Sequence, residues 1–134
     1  MSSTMTTARK ARTGSVALWV VQVVLAAMIA MAALPKLSGD QVMVDIFDAV
    51  GVGQWLRYVV GVLELAGTIG LLVPRLCGLA ALGLSLLLVG ATLTNILVLG
   101  ASPAIPLGYL LVAAGIAWFR RTSVLALVRA AVRR

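Results

Sequence analysis

Residues 76–119 carry no charged side chain over 44 consecutive positions. That run constrains the fold more than any other feature of the chain. A helix crosses the hydrocarbon core of a bilayer with about 20 apolar residues, so this stretch is too long for one crossing and long enough for two. It divides at "GASPAIP", residues 100–106, because proline cannot continue a helix and glycine often ends one. The sequence therefore predicts one span over residues 76–99 and another over 104–119.

The remainder extends the same pattern. Residues 16–34 form a further apolar run of 19 residues. A cleaved signal peptide competes there, with "AMA" around Met31 resembling a cleavage site. Signal peptides carry apolar regions of about 7–15 residues, so the length favours an uncleaved span. Another span covers residues 55–73 and ends at Pro74-Arg75. Only 11% of the chain is charged and 62% is hydrophobic. A soluble domain carries about 25% charged residues, so lipid is the solvent this chain requires. Open sheet edges are excluded in lipid and the runs lack barrel alternation, so the spans are helices. The expected fold is all-α: an integral membrane, antiparallel four-helix bundle forming one domain.

Charge gives the orientation. Arg9, Lys10 and Arg12 precede the first span, Arg75 follows the second, and Arg120, Arg121, Arg129, Arg133 and Arg134 follow the fourth. The first loop holds Lys36 with Asp40, Asp45 and Asp48, and the third loop holds no charge. The positive-inside rule puts both termini and Arg75 in the cytoplasm and the three aspartates outside. The pI near 11.2 thus points to anionic lipid and topology control, not nucleic acid. Residues 1–14 read as a basic, poorly ordered cytoplasmic tail. Residues 40–50, "DQVMVDIFDAV", have apolar positions at helical spacing and read as a short interfacial helix. Residues 121–134 continue at helical period and read as a basic amphipathic helix on the anionic leaflet.

Polar and small residues then fall into stripes. Positions spaced three and four apart share a helix face. The stripes are Gln22, Ala26, Ile29, Ala33, Lys36 on the first span and Arg57, Gly61, Glu64, Thr68 on the second. They are Gly78, Ala81, Ser85, Leu88, Thr92, Asn95 on the third, and Tyr109, Ala113, Ile116, Arg120 on the fourth. Membrane helices associate through such faces, small residues allowing close approach and polar ones bridging helices. By depth, Glu64, Lys36, Arg57, Thr92, Asn95 and Tyr109 converge in the outer half of the bundle. An acid in lipid costs about 2.5–3.5 kcal/mol or more without a partner, so Glu64 requires one. The sequence leaves a structural ion pair with Lys36 or Arg57 and a proton or ligand site equally open.

Several chemistries are excluded or unsupported. The chain has no histidine and one cysteine, Cys77, which rules out a His-ligated haem or metal and an internal disulfide. No phosphate loop, metal-ligand spacing or nucleophile–base set is present. Trp19, Trp55 and Trp118 sit near span ends as belt anchors, Gln22 suits an interhelical hydrogen bond, and Cys77 suits packing.

The order of these features resembles the DoxX-like family of small four-span membrane proteins over residues 16–120. The pieces that carry the resemblance are "LPKLSG", "FDAVGVGQWLRYVVGVLELAGTIGLLVPR" and "GLAALGLSLLLVGATLTNI". The resemblance implies a four-helix membrane bundle, with Lys36 and Glu64 at the family's polar positions. Relatives are linked to thiosulfate:quinone oxidation, to membrane complexes countering oxidative stress, and to chaperone-like roles. Relatives often carry histidine where this chain has Asn95, which cannot exchange a proton near neutral pH. Three functions follow as expectations. The first is an accessory or scaffold subunit of a membrane redox or oxidative-stress complex in the cell inner membrane, not an enzyme on its own. The second is a small proton-coupled transporter or lipophile-binding protein using Glu64. The third is a quinone-reactive subunit in which Glu64, Asn95 and Tyr109 bond the head group. The expected partners are lipid and membrane proteins, a homo-oligomer being compatible. No cofactor other than a quinone is implied.

Overall fold

The computed structural model describes the backbone of residues 2–133 and the side chains of residues 14–133. Arg9, Lys10, Arg12 and Arg134 have side chains outside the described residues. Every regular element is helical: α1 (Ser2–Ser38), α2 (Gln41–Val50), α3 (Trp55–Leu71), α4 (Cys77–Thr94), α5 (Ala104–Phe119) and α6 (Arg121–Val132). A π-helical turn at Asn95–Leu99 extends α4. Two stretches, Gly14–Ser38 and Cys77–Leu99, are each long and apolar enough to cross a membrane. Helix α3 follows α2 at a bend of 115°, and α6 follows α5 at a bend of 62°; counting each bent pair as one span brings the candidates to four.

Helices α1, α3, α4 and α5 pack in a closed ring, each touching the next and α5 touching α1. Their shared core is Leu25, Ala26, Ile29, Leu71, Ala81, Leu84, Leu88, Ala113 and Ile116. The stripes explain this packing. Gln22, Ala26, Ile29 and Ala33 are buried on α1, as are Arg57, Gly61, Glu64 and Thr68 on α3. Gly78, Ala81, Ser85, Leu88 and Thr92 are buried on α4, and Ala113 and Ile116 on α5. Large apolar side chains on the other faces, such as Leu86, Leu97, Ile105 and Leu111, stay exposed. That inversion suits a protein whose outer solvent is hydrocarbon. Helices α1 and α3 run antiparallel, since Gln22 meets the end of α3 while Lys36 meets Glu64.

Glycine sets how closely α3 and α4 approach. A Cβ at Gly70 would lie 2.7 Å from the Ala80 Cβ, so no larger residue fits there without separating the helices.

Three expectations need correction. Residues 2–14, read from the sequence as a poorly ordered basic tail, are helical and continue α1. Alanine, arginine and lysine are strong helix formers there, and no proline interrupts them. Pro35, expected to end the first span, lies inside α1, which runs on to Ser38. Proline withholds its own N–H but leaves the later turn intact where other groups cover the carbonyls. Here the Lys36 Nζ donates to the Ala32 carbonyl at 3.1 Å, and the Asp40 N–H donates to the Pro35 carbonyl at 3.0 Å. Finally, α3 stops at Leu71, two residues before the expected end.

The expected short helix is α2. Asp40 caps its start, its carboxylate accepting from the Val42 N–H, and Gly51 ends it in the left-handed conformation at φ 82°. Helix α2 crosses the end of the ring and touches the π-helical turn, α3 and α1. The charge-free run breaks at Gly100, where φ is 60°, and α5 begins at Ala104.

Candidate functional site

The ring has two ends of different chemistry. One holds Lys36, Arg57 and Glu64; the other holds Gln22, Arg120 and the C-terminus of α3.

At the acid-bearing end, the Lys36 Nζ lies 3.2 Å from Glu64 Oε1 and 3.3 Å from Oε2. Lys36 sits on the last turn of α1 and Glu64 near the middle of α3, so the pair joins the two helices. The side chains are only 14% and 12% exposed, which strengthens the attraction and raises the cost of losing one partner. Gly61, one turn before Glu64, lets α1 come close: a Cβ there would lie 2.9 Å from the Leu37 side chain. Arg57, almost fully buried, donates from Nη1 to the Lys36 carbonyl and from Nε to Gln54 Oε1 at 2.8 Å. A cation is thereby held at the negative end of the α1 dipole. Its guanidinium also lies 4.3 Å from the centre of the Tyr58 ring.

Gln54 extends this network. Its Nε2 donates to the Val44 carbonyl at 3.0 Å and to Asp48 Oδ1 at 2.8 Å, which ties α2 to Arg57. The sequence reading missed Gln54. The available signal was its spacing, three residues before Arg57 at the start of a helix.

The other three expected members make their contacts elsewhere. Thr92 Oγ1 donates to the Leu88 carbonyl of its own helix at 2.8 Å. Asn95 Nδ2 donates across the loop to the Ser102 carbonyl at 3.0 Å. Tyr109 packs against the core and borders a groove between α1 and α5. Among the described residues, none of the three hydrogen-bonds to Glu64. Lys36, Glu64 and Arg57 are thus linked at the end of α1, while Thr92 and Asn95 bond to backbone carbonyls close to them in the chain.

At the arginine-rich end, Gln22 is fully buried. Its Nε2 donates to the Leu71 carbonyl at 2.8 Å, and its Oε1 accepts from Arg120 Nε at 2.9 Å. One amide thus satisfies the C-terminus of α3 and a guanidinium from the end of α5. The Arg120 guanidinium lies 5.3 Å from the Trp19 ring centre, and its Nη2 is buried with no acceptor. The expectation of an interhelical bond from Gln22 is met; its pairing with Arg120 was missed, although both residues lie on their predicted inward stripes. Cys77 is buried, its Sγ 3.3 Å from the Pro74 carbonyl.

Two grooves open on the sides of the ring. One of about 300 Å³ lies between α3 and α4, bordered by Gly67, Gly70, Ala80 and Gly83. The other, about 680 Å³, lies between α1 and α5, bordered by Val24, Met28, Gly108 and Tyr109. Both are apolar, and Glu64 lines neither. Tyr109 borders the second groove, and Asn95, like Glu64, lines neither.

A family model described as the DoxX-like family matches residues 20–116. That range contains the whole acid-bearing cluster and Gln22, and stops short of Arg120. No curated protein and no solved structure matches the chain.

Proposed function

The chain belongs to the DoxX-like family and is a multi-pass membrane protein; from that premise we propose that it is an accessory or scaffold subunit of a membrane complex. In this reading α1, α3, α4 and α5 each cross the bilayer as an antiparallel four-span bundle. Both termini face the cytoplasm and α2 lies on the opposite surface, as the distribution of lysine and arginine supports. Helices α3 and α5 have 17 and 16 residues, roughly 25 Å of rise each, which suits spans whose bent neighbours lie at the interfaces.

The single observation that carries the reading is the closed Lys36–Glu64 pair. A proton carrier must release and rebind its proton through a water path. Glu64 instead holds a cation at both oxygens and lines neither groove. A carboxylate so engaged fixes helix register. The outward faces of the ring helices are rich in exposed apolar side chains and suited to lipid and other membrane helices, and the family resemblance supports a redox or oxidative-stress complex as the setting.

Affinity purification of the full chain in mild detergent, followed by mass spectrometry, tests this. The expected result is a membrane or membrane-associated protein recovered in constant ratio to the bait across expression levels. Recovery of the bait alone at every level overturns the scaffold reading.

A further inference from the structure

The two ends of the ring differ in the balance of charge each carries. All four acids, Asp40, Asp45, Asp48 and Glu64, lie between positions 40 and 64. Each has an internal partner: Asp40 caps α2, Asp45 accepts from Gln41, Asp48 accepts from Gln54, and Glu64 pairs with Lys36. Ten of the eleven basic residues, all but Arg57, fall outside that segment, where no aspartate or glutamate occurs. The structure brings Arg120 and the arginines of α6 to the opposite end of the ring from Glu64. Among the described residues no carboxylate pairs with them there, and Arg120 Nη2 is left buried without an acceptor.

Helix α6 divides into three sectors. Ser123, Val124 and Leu127 are partly buried, and Ser123 and Val124 lie against Gly78 of α4. Leu125, Val128 and Val132 are exposed at 50%, 53% and 80% and share an arc of about 60° at 3.6 residues per turn. Arg129 and Arg133 occupy the next sector. Arg121 begins the helix, donating from Nη1 to the Trp118 carbonyl at 2.8 Å with its guanidinium 4.4 Å from the exposed Trp118 ring. One side therefore grips the bundle, one is apolar and uncovered, and the third is cationic. An apolar stripe bordered by arginines, with an Arg–Trp pair at its start, is the pattern of a helix lying in a bilayer interface.

We infer that α6 and the α5–α6 junction form a binding surface for anionic phospholipid. Leu125, Val128 and Val132 enter the acyl boundary, and Arg121, Arg129 and Arg133 meet headgroup phosphates. Phosphate supplies the negative charge that this end of the chain lacks. A second copy of this chain fits the surface poorly, because its matching end is equally basic and contains no acid.

The test uses the full chain in nanodiscs of pure phosphatidylcholine and of equimolar phosphatidylcholine and phosphatidylglycerol, with no other protein present. The readout is hydrogen exchange of the α6 amides, with α4 amides as internal reference. Anionic lipid is expected to slow α6 exchange, by roughly fivefold for each arginine engaged, and molar salt to reverse the effect. The variant R121Q/R129Q/R133Q should lose the lipid dependence while melting in pure phosphatidylcholine at the parent's temperature, which separates lost binding from lost folding. Equal α6 exchange in the two lipids overturns the inference. So does anionic protection that survives the triple substitution, or protection in pure phosphatidylcholine that grows with the number of copies per disc. Since the discs contain one protein, none of these outcomes bears on whether a scaffold partner exists.

Discussion

The acid-bearing and arginine-rich ends of the ring solve the same problem with different means. Each must hold helix ends together in a medium without water. At the first end, Lys36 and Glu64 pair directly while Arg57 and Gln54 cover the end of α1 and reach α2. At the second, a neutral amide does the bridging, Gln22 serving both the Leu71 carbonyl and Arg120. A buried ion pair is costly to break because the survivor keeps an uncompensated charge; a neutral bridge leaves only unpaired dipoles and one cation near the membrane surface. The first end should therefore be the more sensitive to single changes, and the second the more dependent on what lies outside the chain.

The largest expected effect is at Glu64. Glu64→Ala removes the only acid facing Lys36 and should lower stability in detergent by about 3 kcal/mol, the scale for breaking a buried pair. Glu64→Gln keeps polar contact with Lys36 and should cost less. Combining Glu64→Gln with Lys36→Met removes the stranded cation as well and should recover part of the loss. Thermal melts of the four proteins check this. Strict additivity between positions 36 and 64 would dissolve the contrast between the two ends and reopen Glu64 as a proton or ligand site.

Next comes Gly78, which seats α6 on α4. A Cβ there would run into the Arg120 carbonyl and Ser123 Oγ, and backbone cannot move aside cheaply. Gly78→Ala should cost about 2 kcal/mol, in the range of overpacked cores, and speed hydrogen exchange across α6. Gly83 on the same helix has open space around its Cβ position, so Gly83→Ala should be neutral. Equal melting of the two variants would mean that α6 is not seated on α4 at all.

What could be read from the sequence divides along the same physical line. Burial on a helix follows from spacing, so the four stripes named most of the small and polar residues the ring encloses, though they missed Leu25, Leu71 and Leu84 of its core. Partner choice depends on the rotation and height of one helix against another, which spacing within a single helix does not encode. A partner for Glu64 could be demanded in advance, because lipid requires one, but the sequence left Lys36 and Arg57 both open and only the fold picks Lys36. Gln22 and Arg120, 98 positions apart, had no such demand to reveal them. The bonds that Thr92 and Asn95 make could not be read either, because short polar side chains have backbone carbonyls within reach wherever a helix places them. Pro35 was misread because a proline forfeits one bond of the ladder, to the carbonyl four residues back, without preventing the next turn from continuing.

A third change probes the neutral bridge. Gln22→Leu leaves the Leu71 carbonyl and Arg120 Nε without partners and should cost about 1–2 kcal/mol, the penalty for unsatisfied buried polar groups. Its effect should also shrink in anionic lipid if Arg120 finds phosphate there. Melts in detergent and in phosphatidylglycerol nanodiscs measure both. A loss larger than that of Glu64→Ala would reverse the ranking of the two ends.

The smallest expected effect decides where the acid-bearing cluster stops. Thr92 is buried and lies on the stripe that faces the ring, so position alone would make it a neighbour of Glu64 in function. Its hydroxyl, however, donates to Leu88 in its own helix, a carbonyl the helix already engages through its regular ladder. Thr92→Val keeps the shape, removes only that hydroxyl, and leaves no carboxylate or cation unsatisfied. The change in stability should fall within about 0.5 kcal/mol, the level of substitutions that break no buried network. The double change with Glu64→Gln should then be additive, since residues without a shared partner do not couple. A loss comparable to that of Glu64→Gln, or clear coupling between the two positions, would place Thr92 in the cluster after all. The site would then extend from the α1–α3 seam across to α4, a geometry that could surround a ligand on more than one side, and the argument from a closed two-helix pair would no longer suffice.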